Sequence, residues 1–489
     1  MLSKRPQLFR EVIKVRRDKV IVDLPESVEP KHRKLIEDCA FFRDWIGQNN
    51  VEGRDPISRD EEKRLTQVEN FADLSAAQLI DPRKIDNRLC VGLHLPFIVM
   101  AGLVVKPRAR ILHGHDWVFS SEVLKVFGNP ADGDVISLKD GRDRLIGSAI
   151  YNSKSQIVAR RFSRQRQNLD LDFFNRRIAQ ASEYRDRRKV DPKLRRVVWS
   201  ESDGLPGVIL DRYGDYFVLQ TLTLAMDLRK DLIVKAIVDL FGPATIVERN
   251  DSAVRKAEGV ELRTGVLEGV APAGPIQIEI GGLKFDVDLL HAPKTGFYLD
   301  QAPNYSVVAQ FAEGRRVLDC FANQGAFALA CARAGAADVA AVEENSENVA
   351  SGQHNAKCNG LKVRWIEQDV FAFLRGAEKA EAEYDLITLD PPSFTKTKSG
   401  LRDALRGYRE LHLRAFKLLS KDGLLATFSC SHHVSDAAFN ETIADALVDA
   451  RRSARKLRRF GQALDHPVLP TIPETEYFKG VLLEMMPGR

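Results

Sequence analysis

The residues able to do chemistry gather in short stretches of the C-terminal part of the chain. The first is Asp319-Cys320-Phe321-Ala322-Asn323-Gln324-Gly325-Ala326, an acid, a tight turn with one glycine, and then a helix-compatible run. Glu343 follows 24 residues after Asp319, where an acid can hydrogen-bond a ribose hydroxyl pair. Gln368-Asp369-Val370 comes next. A dinucleotide site wants G-x-G-x-x-G, and only Gly325 is present, so little room is made for a pyrophosphate. A cofactor with a ribose and no phosphate fits better, and S-adenosylmethionine is the common one.

Two further stretches concern a substrate. In Asp390-Pro391-Pro392-Ser393-Phe394 the prolines forbid the α conformation before them and fix an extended backbone. An acid held there suits the edge of a planar base. Ser429-Cys430-Ser431 adds a thiol at the end of the following strand. Taken alone, such a cysteine reads as an inert buried thiol. Beside Asp390, it has a use. Carbon 5 of a pyrimidine is a poor nucleophile, and adding a thiolate to carbon 6 makes it enamine-like, able to attack a methyl sulfonium. An amino-group methylase needs no such nucleophile. Cys320, Cys331 and Cys358 read as packing residues, and His432 and His433 as surface-loop histidines. His113 and His115 have ligand-like spacing but no companion ligands, so no metal is assigned.

The elements that must position these residues alternate. RVLDCF, ADVAAVE, KVRWIEQD, YDLITLD and GLLATFSCS read as buried strands. AFALACARAG, SENVASGQHNAKCNG and GYRELHLRAFKLLS read as helices between them. That alternation predicts a doubly wound parallel sheet, in which ligands bind at the carboxyl ends of the strands. Upstream, GDVIS, DRLIGSAIYN and SQIVARRF predict a small β-rich domain, and residues 172–189 a basic helix. GLPGVILDRYGDYFVLQTLTL predicts a hairpin turning near Tyr213-Gly214-Asp215, and QIEIGGLKFDVDLL another at Gly281-Gly282.

A chain of 489 residues, 44% hydrophobic and 29% charged, is globular and multidomain. The longest apolar run, Leu95 to Val105, contains Pro96 and Gly102 and is too short for a membrane span. The N-terminus is charged where a signal peptide is apolar, and no cysteines form a CxxC, so a reducing, cytoplasmic setting is expected. Net charge is only +5, but Arg142 to Arg196 holds 16 Lys/Arg against 6 Asp/Glu. That local excess is the footprint of a phosphate backbone, with Arg160, Arg161, Arg164 and Arg166 as candidate RNA-binding residues.

From about Met100 the chain resembles the bacterial RlmI-like PUA-domain 23S rRNA cytosine-C5 methyltransferases. The matching segments are His115-Asp116-Trp117-Val118-Phe119-Ser120, Glu201-Ser202-Asp203-Gly204-Leu205-Pro206-Gly207, Lys294-Thr295-Gly296-Phe297-Tyr298-Leu299-Asp300-Gln301, and the Asp390 and Cys430 motifs. The resemblance implies an α/β chain with a PUA-like RNA-binding domain (100–172), an α+β connecting domain (173–283) and a Rossmann-like class I methyltransferase domain (284–489). It implies Cys430 as nucleophile and Asp390 on the cytosine edge. Asp319, Phe321, Ala322, Gly325, Glu343 and Asp369 would surround S-adenosylmethionine, with Tyr298 and Gln301 lining the cofactor or base site. The partner would be 23S rRNA or its precursor; the oligomeric state stays open, a homodimer included. This sequence departs from the family pattern in its Asn323-Gln324-Gly325 turn, in Ala302 where arginine is common, and in residues 1–99. Those residues read as an accessory segment or as the product of too early a start codon. Ser393 stands where other RNA cytosine-C5 methylases place a second cysteine, leaving the group that assists enzyme release unassigned.

Two other readings stay open from the sequence. One is an RNA guanine or adenine N-methyltransferase that uses Asp390-Pro391-Pro392 and leaves Cys430 structural. The other is a non-catalytic RNA-binding assembly factor.

Overall fold

Strand β1 (Arg316–Cys320) is the first of seven in the C-terminal sheet. Its side chains alternate between faces, with Val317 in one apolar core and Leu318 and Cys320 in the other. The others are β2 (Asp338–Glu343), β3 (Arg364–Glu367), β4 (Tyr384–Leu389), β5 (Leu419–Ser429), β6 (Ala454–Phe460) and β7 (Lys479–Met485). Their order is β3-β2-β1-β4-β5-β7-β6. The first five are parallel, and β7 pairs antiparallel with both β5 and β6. Helices α1 (Ala326–Arg333), α2 (Ser346–Cys358), α3 (Val370–Lys379), α4 (Leu401–Leu418) and α5 (Asp436–Ala450) form the crossovers. The order reverses direction between β1 and β4, so a crevice opens at their carboxyl ends. The expected five strands are all present; β6 and β7 extend the sheet beyond them.

This computed structural model describes residues 101–487 except 293, 396 and 398, together with two short paired strands, Ile13–Arg16 and Lys19–Val22. The chain divides into two units at Met100/Ala101, and the expectations about the role and start of residues 1–99 otherwise lie outside the described residues. Among the described residues, no helix is long and apolar enough to cross a membrane.

Ahead of the C-terminal sheet lie two others. The six-stranded sheet runs Trp117–Phe119, Ile157–Ser163, Leu145–Tyr151, Val135–Lys139, Gly102–Val105, Val123–Phe127. The five-stranded one runs Arg263–Gly269, Thr245–Asn250, Tyr216–Thr221, Val208–Tyr213, Leu194–Trp199. The helix Leu171–Arg187 shares the core of the latter through Phe173, Phe174, Ile178 and Ala181. Asp170 caps it, accepting from Phe173 N at 2.8 Å. Both expected hairpins form, with Tyr213 opposite Tyr216 and Ile280 opposite Leu283.

The expected boundaries need moving. A cut at 172/173 falls inside the helix Leu171–Arg187. One at 283/284 splits the hairpin Ile276–Ile280/Leu283–Val287, whose Ile278, Phe285 and Val287 belong to the same core as Val317 and Phe327. The hairpin therefore packs as part of the C-terminal region.

The basic run is also corrected. Arg160 is nearly buried and pairs with Glu201 at 3.0 Å and Glu258 at 3.4 Å, its guanidinium 5.0 Å from the Trp117 ring. Arg161 is buried against Asp116 at 2.7 Å. Neither is free for RNA. Arg185, Arg195 and Arg196 are likewise buried in pairs with Asp203, Asp186 and Asp211. Arg164 and Arg166 do lie on the surface. Much of the local excess of charge is thus internal wiring. Glu201 also accepts from Trp117 Nε1 at 2.8 Å, and Ser202 Oγ donates to the Pro467 carbonyl at 2.7 Å. The Glu201–Gly204 turn therefore ties the six-stranded sheet to the five-stranded one and to the segment between β6 and β7.

Two measurements test this packing. Arg160→Ala leaves Glu201 and Glu258 buried without their cation and should cost about 3–5 kcal/mol in denaturant unfolding, whereas Arg164→Ala should stay within about 0.5 kcal/mol of wild type. Gly352 lies under Trp365, and a Cβ there would meet the indole at 2.0 Å. Gly352→Ala should therefore destabilise by about 1–3 kcal/mol, and a Trp365→Leu background should recover most of it.

Candidate active site

The turn after β1 is shaped by backbone strain. Phe321, Asn323 and Gly325 all have positive φ, at 61°, 48° and 88°. For the first two this costs energy that the surroundings must offset, a pattern concentrated at ligand-binding turns. Gly325 has no substitute, because a Cβ would meet Trp365 at 2.8 Å. The Asp319 carboxylate is buried beneath the turn. It accepts from Ala328 N at 2.9 Å and from the Thr388 hydroxyl, tying α1 and β4 to β1. Glu343, at the end of β2, accepts Asn323 N at 2.9 Å on one oxygen and Asn345 N at 3.0 Å on the other. Each oxygen keeps a lone pair for a ribose hydroxyl. Ala322 is buried, its N–H donating to Val342 O at 3.1 Å. Asp369 is exposed and caps α3 by accepting Ala372 N at 2.7 Å. Gln324 Oε1 and Trp365 Nε1 are buried beside this turn without a protein partner. Polar atoms left over around a carboxylate that can take a diol fit a nucleoside group.

Asp390 and Cys430 end neighbouring parallel strands, β4 and β5. A hydrogen bond of 3.1 Å between Ser393 Oγ and Ser431 Oγ joins the two turns, and Tyr408 Oη supports Ser429 at 2.9 Å. Thus Ser393 is a fastening between the motifs. The loop Lys294–Gln301 closes the site from the other side. Gln301 Nε2 donates to Asp390 Oδ2 at 2.6 Å, and Asn304 Nδ2 holds Gln301 Oε1 at 3.1 Å. Lys294 lies 4.2 Å from the Tyr298 ring centroid and 3.2 Å from Asp300. Tyr477 Oη donates to Asp300 at 2.5 Å. The loop's far end is anchored in the five-stranded sheet. The Thr295 hydroxyl donates to Asp211, and Phe297 N donates to Tyr213 Oη at 3.0 Å.

Burial and charge set opposite protonation states on these acids. Burial pushes Asp390 up to about 7, aided by the nearby Asp300 and Asp319 and opposed by Lys294. Burial likewise raises Asp319 to about 7. Burial would raise Asp300 as well, but Lys294, His466, Tyr477 and Arg196 hold it far below the ordinary carboxylate range. Burial pushes the Cys430 thiol up to about 11, with Lys294 opposing and Asp390 adding to the shift. Burial works against the Lys294 charge, yet Asp300, Tyr298 and Cys430 together raise its pKa. The resting site therefore pairs a protonated thiol with an acid half-protonated near neutrality.

The sequence-predicted residues fall into two groups around one crevice. Asp319, Phe321, Ala322, Gly325 and Glu343 are brought together by the β1 turn, with Asp369 on α3 at the neighbouring strand end. Asp390, Cys430, Tyr298 and Gln301 converge on the β4–β5 side. Sequence reasoning passed over Tyr477, Trp365 and Thr388, which had no motif around them. Cys320 and Cys331 pack in the core as expected, but Cys358 is exposed. His115 is buried, accepting Trp117 N at 3.0 Å and facing Glu474 at 3.0 Å.

Comparison with known proteins gives the family. Residues 266–477 match the model of an S-adenosylmethionine-dependent methyltransferase family, and residues 104–164 that of a PUA-like domain. The chain is 38% identical over 392 residues to the ribosomal RNA large subunit methyltransferase I of Aeromonas salmonicida, spanning 78% of this chain and 98% of that one. It is 36% identical over 382 residues to the protein of the same name from Escherichia coli O139:H28, spanning 77% and 96%. Among solved structures, SMU.776, a methyltransferase complexed with SAH, superposes with a TM-score of 0.69 at 20% identity, over 79% of this chain and 100% of that one. A SAM-dependent methyltransferase from Streptococcus mutans gives 0.68 at 21% identity, with the same coverage. These last two likenesses are of fold.

The raised Asp390 makes a testable contribution to stability. Its folded pKa, about 7, exceeds the ordinary 3.8. The folded state thus binds the proton more tightly, and the cost of ionising Asp390 is absent at acid pH and complete above about pH 7. Asp390→Asn mimics the neutral acid. Its Tm minus that of wild type should grow as pH rises from 4 to 8, by about 1 °C per kcal/mol for a chain of this size. A difference flat across that window would show that Asp390 ionises as it does in water.

Proposed function

Because the chain belongs to the ribosomal RNA large subunit methyltransferase I family, we propose that it transfers the methyl group of S-adenosylmethionine to carbon 5 of a cytosine in 23S rRNA, with Cys430 as nucleophile. The observation that carries this reading is the placement of Cys430 and Asp390 on adjacent strand ends, fastened by Ser393 and Ser431 and facing one crevice. An N-methyltransferase has no use for a thiol there. When bound, S-adenosylmethionine supplies an electrophilic sulfonium methyl.

This chain's residues then do the following. Gln301 holds one oxygen of Asp390, so that the other meets the base edge. Asp390, protonated in part at neutral pH, gives its proton to ring nitrogen 3 as the Cys430 sulfur bonds to carbon 6. Carbon 5 becomes enamine-like and takes the methyl. The carbon 5 proton passes to solvent water as the carbon 6–sulfur bond breaks and returns the thiolate, which releases the product, and Asp390 recovers its proton from nitrogen 3. Because the Cys430 thiol is held at about 11, it must give up its proton to solvent water as the base docks; the Lys294 ammonium favours the thiolate.

On the cofactor side, Glu343 takes the ribose hydroxyls, and Phe321, Ala322 and Gly325 let the backbone approach. Asp369 and Tyr298 border the same crevice. Asp319 is a positioning residue, its carboxylate already used by Ala328 and Thr388. The PUA-like domain contributes RNA affinity, acting in the cytoplasm on the large subunit or its precursor. Its footprint contracts to exposed residues: Arg164 and Arg166, with Arg187, Arg188 and Lys189 at the end of the neighbouring helix.

RNA carrying 5-fluorocytidine should form a stable adduct with the protein, because fluorine cannot leave as a proton does. The adduct should require S-adenosylmethionine and disappear in Cys430→Ala. An adduct that survives the substitution would exclude Cys430 as the nucleophile, and N-methylated nucleosides in the product would favour the amino-group reading. Arg164→Glu with Arg166→Glu should weaken RNA binding several-fold at low salt, flatten its salt dependence and leave cofactor affinity unchanged.

A further inference from the structure

On the hairpin and helix behind the cofactor turn, three metal-ligating side chains converge outside the site described above. They are Asp286 on the strand Leu283–Val287, and His354 and Cys358 one turn apart on α2. Their ligand atoms all lie within 4.8 Å of one another. His354 Nε2 stands 2.8 Å from Asp286 Oδ2 and 3.3 Å from Cys358 Sγ. One ring nitrogen has either one proton or one lone pair to offer, so it serves two partners poorly. A cation at the centre would serve all three.

The backbone beneath is fixed independently of these contacts. Asn355 Oδ1 accepts from Asp286 N at 3.1 Å. Asn359 exchanges two bonds with Lys284, at 2.9 Å and 2.7 Å. Asn355, between the ligands on α2, and Asn359, just past its end, therefore hold the strand in register, and Asp286 is placed before any ion arrives. Carboxylate, imidazole and thiolate together are a borderline-soft set, which disfavours Mg2+ and Ca2+. With ligand distances of about 2.0–2.3 Å, a tetrahedral Zn2+ spaces its donors about 3.3–3.6 Å apart, within a small side-chain rotation of the spacing observed.

We propose that Asp286, His354 and Cys358 form a surface site for a borderline divalent transition-metal ion, Zn2+ in the first place, with water completing the coordination. It would staple the hairpin to α2. Asn355 on the same helix also reaches the cofactor turn, its Nδ2 donating to Gln324 O at 3.4 Å. The proposal stands apart from the methyl-transfer reading and can fail or hold without it.

The test uses the full-length protein without a polyhistidine tag, stripped with a chelator and titrated with Co2+ and with Zn2+. We expect one equivalent of Co2+ to give a near-ultraviolet thiolate-to-cobalt charge-transfer band. The band should be lost in Cys358→Ser and retained in Cys39→Ser, Cys90→Ser and Cys430→Ala. Zn2+ affinity by calorimetry should fall at least tenfold in His354→Ala and in Asp286→Asn. In wild type, which avoids any folding defect, Zn2+ should slow alkylation of Cys358 at least tenfold, read by peptide mass spectrometry. Absence of saturable binding, a band that persists in Cys358→Ser, or unchanged alkylation would overturn the proposal.

Discussion

The buried carboxylate of Asp211 is the constraint on which the active site hangs. It lies fully inside the five-stranded sheet and accepts both Arg196 Nε and Nη2 at 2.7 Å. Without that bidentate partner, a charge at this depth would be severely destabilising. Its remaining capacity takes the Thr295 hydroxyl, and the next turn of wiring follows from there. Tyr213 receives Phe297 N, Asp300 receives Tyr477, and Gln301 reaches Asp390. The connecting region is thus no passive spacer. It sets the orientation of the acid at the end of β4 through a loop clamped at both ends.

The same clamp explains how one crevice keeps acids in different states. Asp300 is surrounded by Lys294, Tyr477, His466 and Arg196 and stays ionised. Its charge, with burial, then helps keep Asp390 protonated to about pH 7. Two carboxyls driven apart by their surroundings can divide the roles of fixed anion and proton donor. The cofactor side is built differently. There Asp319 accepts one backbone amide and the Thr388 hydroxyl, Glu343 accepts one amide on each oxygen, and together they hold a strained turn in shape.

The site was legible where apolar runs ended in reactive side chains. Four of the five parallel strands are buried runs, while β3, read as another, is an edge strand with no buried residue; the doubly wound rule placed Asp319, Glu343, Asp369, Asp390 and Cys430 along one edge. What escaped depends on contacts distant in sequence. Counting charges between Arg142 and Arg196 could not show that Arg160 and Arg161 face Glu201, Glu258 and Asp116. Strand β6, ARKLRRF, carries exposed cations on both sides of an edge and lacks the apolar run of a core strand. The hairpin Ile276–Val287 looked like the end of the connecting region because its burial partners, among them Val317 and Phe327, come later in the chain. Cys358 looked like packing because Asp286 lies 68 residues before its neighbour His354.

Methylation of carbon 5 through Cys430 is reported directly by the hydrogen on that carbon. Precursor 23S rRNA labelled with tritium at carbon 5 of cytosine should release tritium to water as the full-length protein and S-adenosylmethionine act on it. Release should match methyl groups incorporated one for one and vanish in Cys430→Ala. Methyl incorporation without tritium release would rule out carbon 5 and place the methyl group on another atom.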